Sequence, residues 1–396
     1  MPTRPCWVEI RARTLEENYL FLTSLVAGQA ELLAIVKADA YGHSLALCAP
    51  AAARAGARWL GVTSVEEGVA ARALCPEPRV LVIGGVFPGQ GAEVVRHGLT
   101  AVAWEPWQLD ELEGAARAAG AEAGSVAVHL EIDTGMSRQG VSPDGLDPVL
   151  ARFGSGSLLR LEGVMTHLFA ADEADGRVTE EQLARLDEVL VWIEGAGLHP
   201  EWLNVGNSAA LLAGEAGRIA TLAGRHGMKA MLRPGLALYG VIPLYDPEFE
   251  PEEPEGVAAA RLWLQPVLSW KTRVVGVRSV PSGTVVGYNG TFVATEPMRL
   301  ALVAAGYADG LDRRLGNRFS LLVRGERAPL VGRISMDQAV LDVTEIAGVE
   351  AGDEVVILGT QGDETITAFD HAEAVGTIPW EVFTRIGARV RRVAVL

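Results

Sequence analysis

The chain has 396 residues, 49% of them hydrophobic, and a formal net charge of −16. That length suits about two domains with a sizeable core, and the acidic balance speaks against nucleic acid or an acidic membrane as partner. No apolar run reaches the ~20 residues needed to cross a bilayer. The first residues lead directly into Cys6-Trp7-Val8-Glu9-Ile10 without a secretory pattern, so a cytoplasmic protein is expected. Cys6, Cys48 and Cys75 lack metal-ligand spacing and fit a reducing compartment, and the scattered histidines form no His-x-x-x-His pair, so no metal site is expected.

In chain order, a short apolar run, Leu32 to Val36, reads as a buried strand. It ends on Lys37, and Asp39, Tyr41 and Gly42 read as a loop before a helical stretch from Leu45 to Ala55. Apolar surroundings disfavour a charged amine, and a neutral lysine there can condense with a carbonyl to a Schiff base. The same lysine could equally snorkel to water.

Seven further runs follow: Trp59–Thr63, Arg79–Ile83, Thr100–Ala103, Val126–Ile132, Leu161–Thr166, Trp202–Val205 and Ala230–Leu232. Helical segments such as Val65–Leu74, Trp107–Ala119 and Glu180–Ile193 lie between them. Eight strand–helix units in roughly 210 residues predict a closed (β/α)8 barrel. An open doubly wound sheet competes, weakened by the lack of a Gly-x-Gly-x-x-Gly after the first strand.

The expected organisation is an α/β chain: a (β/α)8 barrel over 10–245, a Pro/Glu-rich linker or loop over 246–255, and a mostly β domain over 256–396. The strand runs of that last domain include Thr272–Val277, Leu300–Ala304, Ser320–Val323, Ala339–Val343, Glu354–Leu358 and Ala388–Val395. The N-terminal strand over 6–10 is expected to join the β domain.

Barrel chemistry sits at the C-terminal ends of the strands. The polar residues there are Lys37 and Tyr41; Glu131, Asp133 and Arg138; His167; Asn207 and Ser208; and Arg233, followed by Pro234-Gly235-Leu236. Taken singly, His167 reads as well as a satisfied core histidine, Ser208 as a helix cap and Arg138 as half of a surface ion pair. Together they place a lysine, two arginines and a histidine at one mouth, with a serine and a glycine in the last two loops, where barrels commonly bind phosphate. A lysine plus a phosphate cradle suggests pyridoxal phosphate.

Ala34-Ile35-Val36-Lys37-Ala38-Asp39-Ala40-Tyr41-Gly42-His43 resembles the cofactor-attachment motif of alanine racemases. Further segments resemble that family in the same order: Ile132 to Arg138, Met165 to Glu173, Gly206 to Ala210, Arg233 to Gly240, Val286 to Asn289, Gly306 to Gly310 and Gly332 to Gln338. The resemblance implies pyridoxal phosphate on Lys37, an amino-acid substrate and a homodimer with shared active sites. Lys37 would be one base and Tyr288, reaching in from the partner subunit, the other. Tyr41, Ser208, Gly235 and Leu236, with Asn207 and Trp380 nearby, would hold the phosphate. Arg233 would face the pyridine nitrogen, His167 would lie beside the ring and Arg138 near its phenolic oxygen and the substrate. Met336 and Tyr307 would line the entry, supported by Asp337.

Three positions depart from the family's pattern. Ile378-Pro379-Trp380-Glu381 carries tryptophan where a tyrosine is usual, and an indole N–H donates a hydrogen bond but accepts none. That departure keeps a serine or broad-specificity racemase in view. Glu131 stands where many relatives have a lysine, often carbamylated, and is expected to pair with Arg138. Asn204 stands where some relatives have a histidine. Amino-acid decarboxylases of related fold resemble the chain less. A non-catalytic cofactor carrier would have no use for a second base.

Overall fold

The computed structural model describes residues 4–173, 176–243 and 253–395. The chain divides into two compact units. One comprises Arg13–Ala40 and Cys48–Gln265; the other comprises the N-terminal residues through Ala12, Tyr41–Leu47 and Pro266 onward.

The first unit is a closed parallel barrel. After the N-terminal strand β1 (Cys6–Arg11), the staves are β2 (Ala30–Ile35), β3 (Trp59–Val62), β4 (Arg79–Val82), β5 (Thr100–Ala103), β6 (Val126–Glu131), β7 (Leu159–Met165), β8 (Trp202–Asn204) and β9 (Lys229–Leu232). β9 pairs back with β2, Ala230 opposite Ala30, and this closes the ring. The staves are short apolar runs because a parallel strand buried on both faces has no solvent side to mark with polar residues. Leu33, Leu60, Leu81, Leu130, Val164 and Leu203 are fully buried. Helices lie between the staves, including Leu45–Arg54, Val65–Leu74, Pro106–Ala118 and Arg177–Gly195.

The second unit is built on a nine-stranded sheet. Its longest strand, β10 (Leu268–Val280), pairs antiparallel with β1, Val8 opposite Trp270. β10 also pairs with the strands over Met298–Val303 and Glu354–Gln361. β1 runs parallel to the C-terminal strand Arg391–Val395. The unit also carries two short helices, Ala368–Val375 and Pro379–Thr384.

Two boundaries differ from the sequence reading. The helix Glu255–Trp263, expected in the β domain, belongs to the barrel unit. Gly256 shows why: a Cβ there would lie 2.4 Å from the Leu212 carbonyl oxygen, so only glycine permits that approach. Tyr41–Leu47, expected in the barrel, belongs to the β unit, where Arg392 Nε donates to the Gly42 carbonyl at 3.0 Å. Most of the Pro/Glu-rich stretch expected over 246–255 lies outside the described residues.

Candidate active site

Lys37 follows β2 after Val36, half-buried. Burial first, then the positive charges of Arg138 and Arg233, hold its pKa below the ordinary lysine value; Glu67 and Glu131 oppose them more weakly. The backbone then turns left-handed through four consecutive non-glycine residues, with φ of 52° at Ala38, 51° at Asp39, 56° at Ala40 and 53° at Tyr41. L-residues resist this conformation by about 1–2 kcal/mol each, and such strain persists only where the surroundings over-determine it. The Ala38 N–H donates to Glu67 Oε1 at 2.6 Å, and Glu67 Oε2 accepts from Thr63 N at 2.8 Å. Glu67 is also the third residue of the capping box that opens the helix Val65–Leu74 behind Ser64. That Ser-x-x-Glu spacing was legible in the sequence; its hold on the lysine turn was not.

At the end of β6, Glu131 is buried, and burial pushes its carboxyl pKa up. Its partner is the Gln139 amide, which donates at 2.5 Å. The expected pairing with Arg138 is therefore corrected: the neutral amide of the next residue, Gln139, takes the carboxyl group, and Arg138 is exposed, with no ion pair among the described residues. The intervening loop is folded by Asp133 Oδ1, which accepts from Gly135 N at 2.9 Å and Ser137 N at 3.0 Å.

His167 follows β7 and is neutral. Burial, then Arg233, Arg138 and Lys37, bring its pKa down to about 3. Arg233 is 5% exposed. Its Nη1 donates to the carbonyl and side-chain oxygens of Asn204 at 2.8 and 2.7 Å; its Nη2 donates to Thr166 O at 2.9 Å and to His167 Nδ1 at 3.1 Å. Since Nδ1 accepts, the ring carries its proton on Nε2. Asn204 Nδ2 is buried without a hydrogen-bond partner among the described residues.

In the loop after β8, the helix cap is Asn207, not Ser208: Asn207 Oδ1 accepts from Ala210 N at 3.0 Å, while its Nδ2 donates to Leu168 O at 3.2 Å. Ser208 Oγ instead accepts from Gly235 N at 3.0 Å and Ala237 N at 3.2 Å. It thereby ties the β8 loop to the 3-10 turn Leu236–Tyr239 after β9. The barrel thus gathers Lys37, Arg138, His167, Asn207, Ser208, Arg233, Gly235 and Leu236 at the carboxyl ends of its staves.

The remaining expected residues belong to the β unit. Tyr41 is buried, and its carbonyl lies 2.9 Å from His43 Nδ1. A Cβ on Gly42 would sit 2.4 Å from the Phe383 carbonyl oxygen, in the helix that carries Trp380. Tyr288 is 67% exposed, and no hydrogen bond engages its hydroxyl among the described residues. Tyr307 and Met336 are brought side by side by backbone bonds, Tyr307 N to Ser335 O at 3.1 Å and Ala308 N to Met336 O at 3.0 Å. Asp309, fully buried, anchors this pair by ion pairs of 2.8 Å with both Arg4 and Arg389. Arg389 also pairs with Asp337 at 2.8 Å. Asp309 lies within the Gly306–Gly310 segment, yet nothing in the sequence marks it as the anchor.

These donors suit pyridoxal phosphate: an amine held off its charged form, a buried guanidinium fixed in one orientation, a neutral imidazole and a serine tied to two loop amides. Fold and site define the class of pyridoxal-phosphate-dependent amino-acid racemases. Comparison with known proteins is specific. Residues 10–243 match the model of the alanine racemase N-terminal domain and residues 267–394 that of its C-terminal domain. A protein named alanine racemase from Halothermothrix orenii is 36% identical over 98% of this chain and 97% of its own length. The crystal structure of alanine racemase from D-cycloserine-producing Streptomyces lavendulae superposes with a TM-score of 0.87 at 35% identity, covering 100% of this chain and 98% of that one. Alanine racemase from Bartonella henselae, solved with covalently bound pyridoxal phosphate, superposes at 0.81 with 26% identity, covering 100% of both chains. The chain belongs to the alanine racemase family.

Proposed function

We propose that this protein interconverts L- and D-alanine using pyridoxal phosphate held on Lys37, as a cytoplasmic homodimer that supplies D-alanine for peptidoglycan. The observation that carries this reading is Lys37 itself: an amine at the end of a barrel stave whose charged form is disfavoured by burial, Arg138 and Arg233. Racemisation needs a base on each face of the α-carbon, one to take the proton and one to return it. Lys37 is the first. Tyr288, exposed and without a hydrogen bond to its hydroxyl among the described residues, is the second, reaching in from the partner subunit. The cofactor, when bound, takes up the electrons released as the α-proton leaves. Arg233 cannot realistically give up its proton, so a pyridine nitrogen that it faced would stay unprotonated. That would limit electron withdrawal and favour proton return over side reactions. Ser208, Asn207, Gly235, Leu236 and Tyr41 would hold the phosphate, with Trp380 nearby. Arg138 would orient the phenolic oxygen and the substrate carboxylate. Met336 and Tyr307 line the entry, supported by Asp337.

Exchange of the α-hydrogen of L- and D-alanine in deuterated buffer, with wild type, Lys37→Ala and Tyr288→Phe, tests the reading. Exchange and racemisation are expected in the wild type; absence of both with cofactor bound would overturn it. One observation favours a broader substrate range. Trp380 is half-buried and its indole N–H has no partner among the described residues, where the family usually offers a phenol that both donates and accepts. Racemisation of alanine, serine and larger amino acids by wild type and Trp380→Tyr decides between the two: a serine-to-alanine ratio that falls in the variant supports the broader reading.

A further inference from the structure

We propose that Gln182 is a positioning residue of this site, fixing from the helix Arg177–Gly195 the loops that carry His167 and Arg138. The inference deepens the proposed racemase reading and rests on it for the effect on turnover, but its geometry stands alone. Gln182 is 1% exposed. Its amide nitrogen donates to His167 O and to Thr134 Oγ1, each at 2.9 Å, and its oxygen accepts from Phe169 N at 3.2 Å. The flipped amide would set oxygen against the His167 carbonyl and N–H against the Phe169 N–H, so one orientation alone is satisfied.

The bonds continue as a directed chain. Thr166 Oγ1 donates to Ile132 O at 2.8 Å. It must therefore accept across the 2.8 Å contact with Thr134 Oγ1. Thr134, having given its proton to Thr166, accepts from Gln182. Three buried side chains on one helix and two strand ends thus hold each other in a single proton arrangement. One turn along the helix, Arg185 Nη1 donates to Thr134 O at 2.8 Å. The output lies at Arg233. Two acceptors of its Nη2, Thr166 O and His167 Nδ1, sit on the two residues that Gln182 and the threonine chain immobilise. Ile132, at the other end, opens the loop that carries Arg138. Gln182 touches none of the reacting groups; it acts through them.

The test compares Gln182→Met, which keeps the volume and removes every hydrogen bond, with Thr134→Val, which breaks the same chain at its middle link. The control is Gln108→Met. Gln108 is equally buried, but its side chain caps the helix Pro106–Ala118 by accepting from Trp104 N at 2.9 Å and Glu105 N at 3.0 Å. Two readouts are taken: the pH titration of the His167 Cε1–H resonance in cofactor-free protein, and kcat against KM in the holoenzyme. In both site variants the His167 inflection is expected to move up from its wild-type position toward the ordinary ~6.5, and kcat to fall by about tenfold or more with KM little changed. Gln108→Met is expected to lower Tm and move neither readout. If Gln182→Met behaves like Gln108→Met, the residue is structural and the proposal fails. Should Gln182→Met not fold, Thr134→Val decides by the same two readouts. A wild type without racemase activity would defeat the functional reading and leave the His167 titration to judge Gln182.

Discussion

At the scale of single residues, the site is tuned by burial and by which neighbours are charged. Lys37 and His167 lose their protons early because burial and two arginines act on both. Glu131 is the converse case. Burial raises its pKa, so relative to the unfolded chain it favours folding fully only below the ordinary glutamate value of about 4.3, and that contribution is lost as pH rises through the higher folded value. Glu131→Gln removes the penalty. The variant's Tm, measured from pH 4 to 8, is therefore expected to gain on the wild type as pH rises, with the two converging at the acid end. A difference that shrinks with rising pH would mean that Glu131 is held as a stabilised carboxylate. The result bears on the family departure at this position, because the structure gives Glu131 to Gln139 and leaves Arg138 exposed for another anion.

Among the elements, the left-handed turn after Lys37 separates what composition tolerates from what geometry imposes. Ala38, at φ 52°, carries a Cβ that its conformation resists. Ala38→Gly relieves about 1–2 kcal/mol of that strain but adds unfolded-state freedom worth about 0.4–1 kcal/mol. A net gain of about 0.5–1 kcal/mol in denaturant unfolding is expected. Gly42→Ala is the opposite case: φ is +76° and the new Cβ meets the Phe383 carbonyl oxygen at 2.4 Å. Backbone cannot yield as a side chain can, so a loss of more than about 2 kcal/mol is expected. An alanine tolerated at 42 would show that Phe383 and its helix are free to shift.

For the whole molecule, the proposed sharing of sites between subunits is the arrangement to test. Tyr288, Tyr307 and Met336 are large side chains left exposed on the β unit, as expected of groups that complete a site on a second copy. Inactive Lys37→Ala and Tyr288→Phe proteins, dissociated, mixed and reassociated, test this directly. With shared sites, half the dimers are mixed and each has one intact Lys37–Tyr288 pair, so about a quarter of wild-type activity returns. If one chain supplies both bases, mixing restores nothing. No helix among the described residues is long and apolar enough to cross a membrane.

The order of staves and helices was legible in the linear chain because parallel strands buried on both faces must be short apolar runs, and the helices between them carry their own caps and spacing. Thr100–Ala103, Val65–Leu74 and Ser320–Val323 were placed to the residue. Lys37, Arg138, His167 and Arg233 stood out because stave ends are fixed points at which few polar residues occur. Tertiary structure alone decided that Gln139 takes the Glu131 carboxylate, that Asn207 rather than Ser208 caps its helix, that Tyr41–Leu47 folds with the β unit, and that Gln182 ties two loops together. Each depends on where a side chain far along the chain comes to rest. Periodicity records which face of an element is buried; it carries no record of which polar group meets it there.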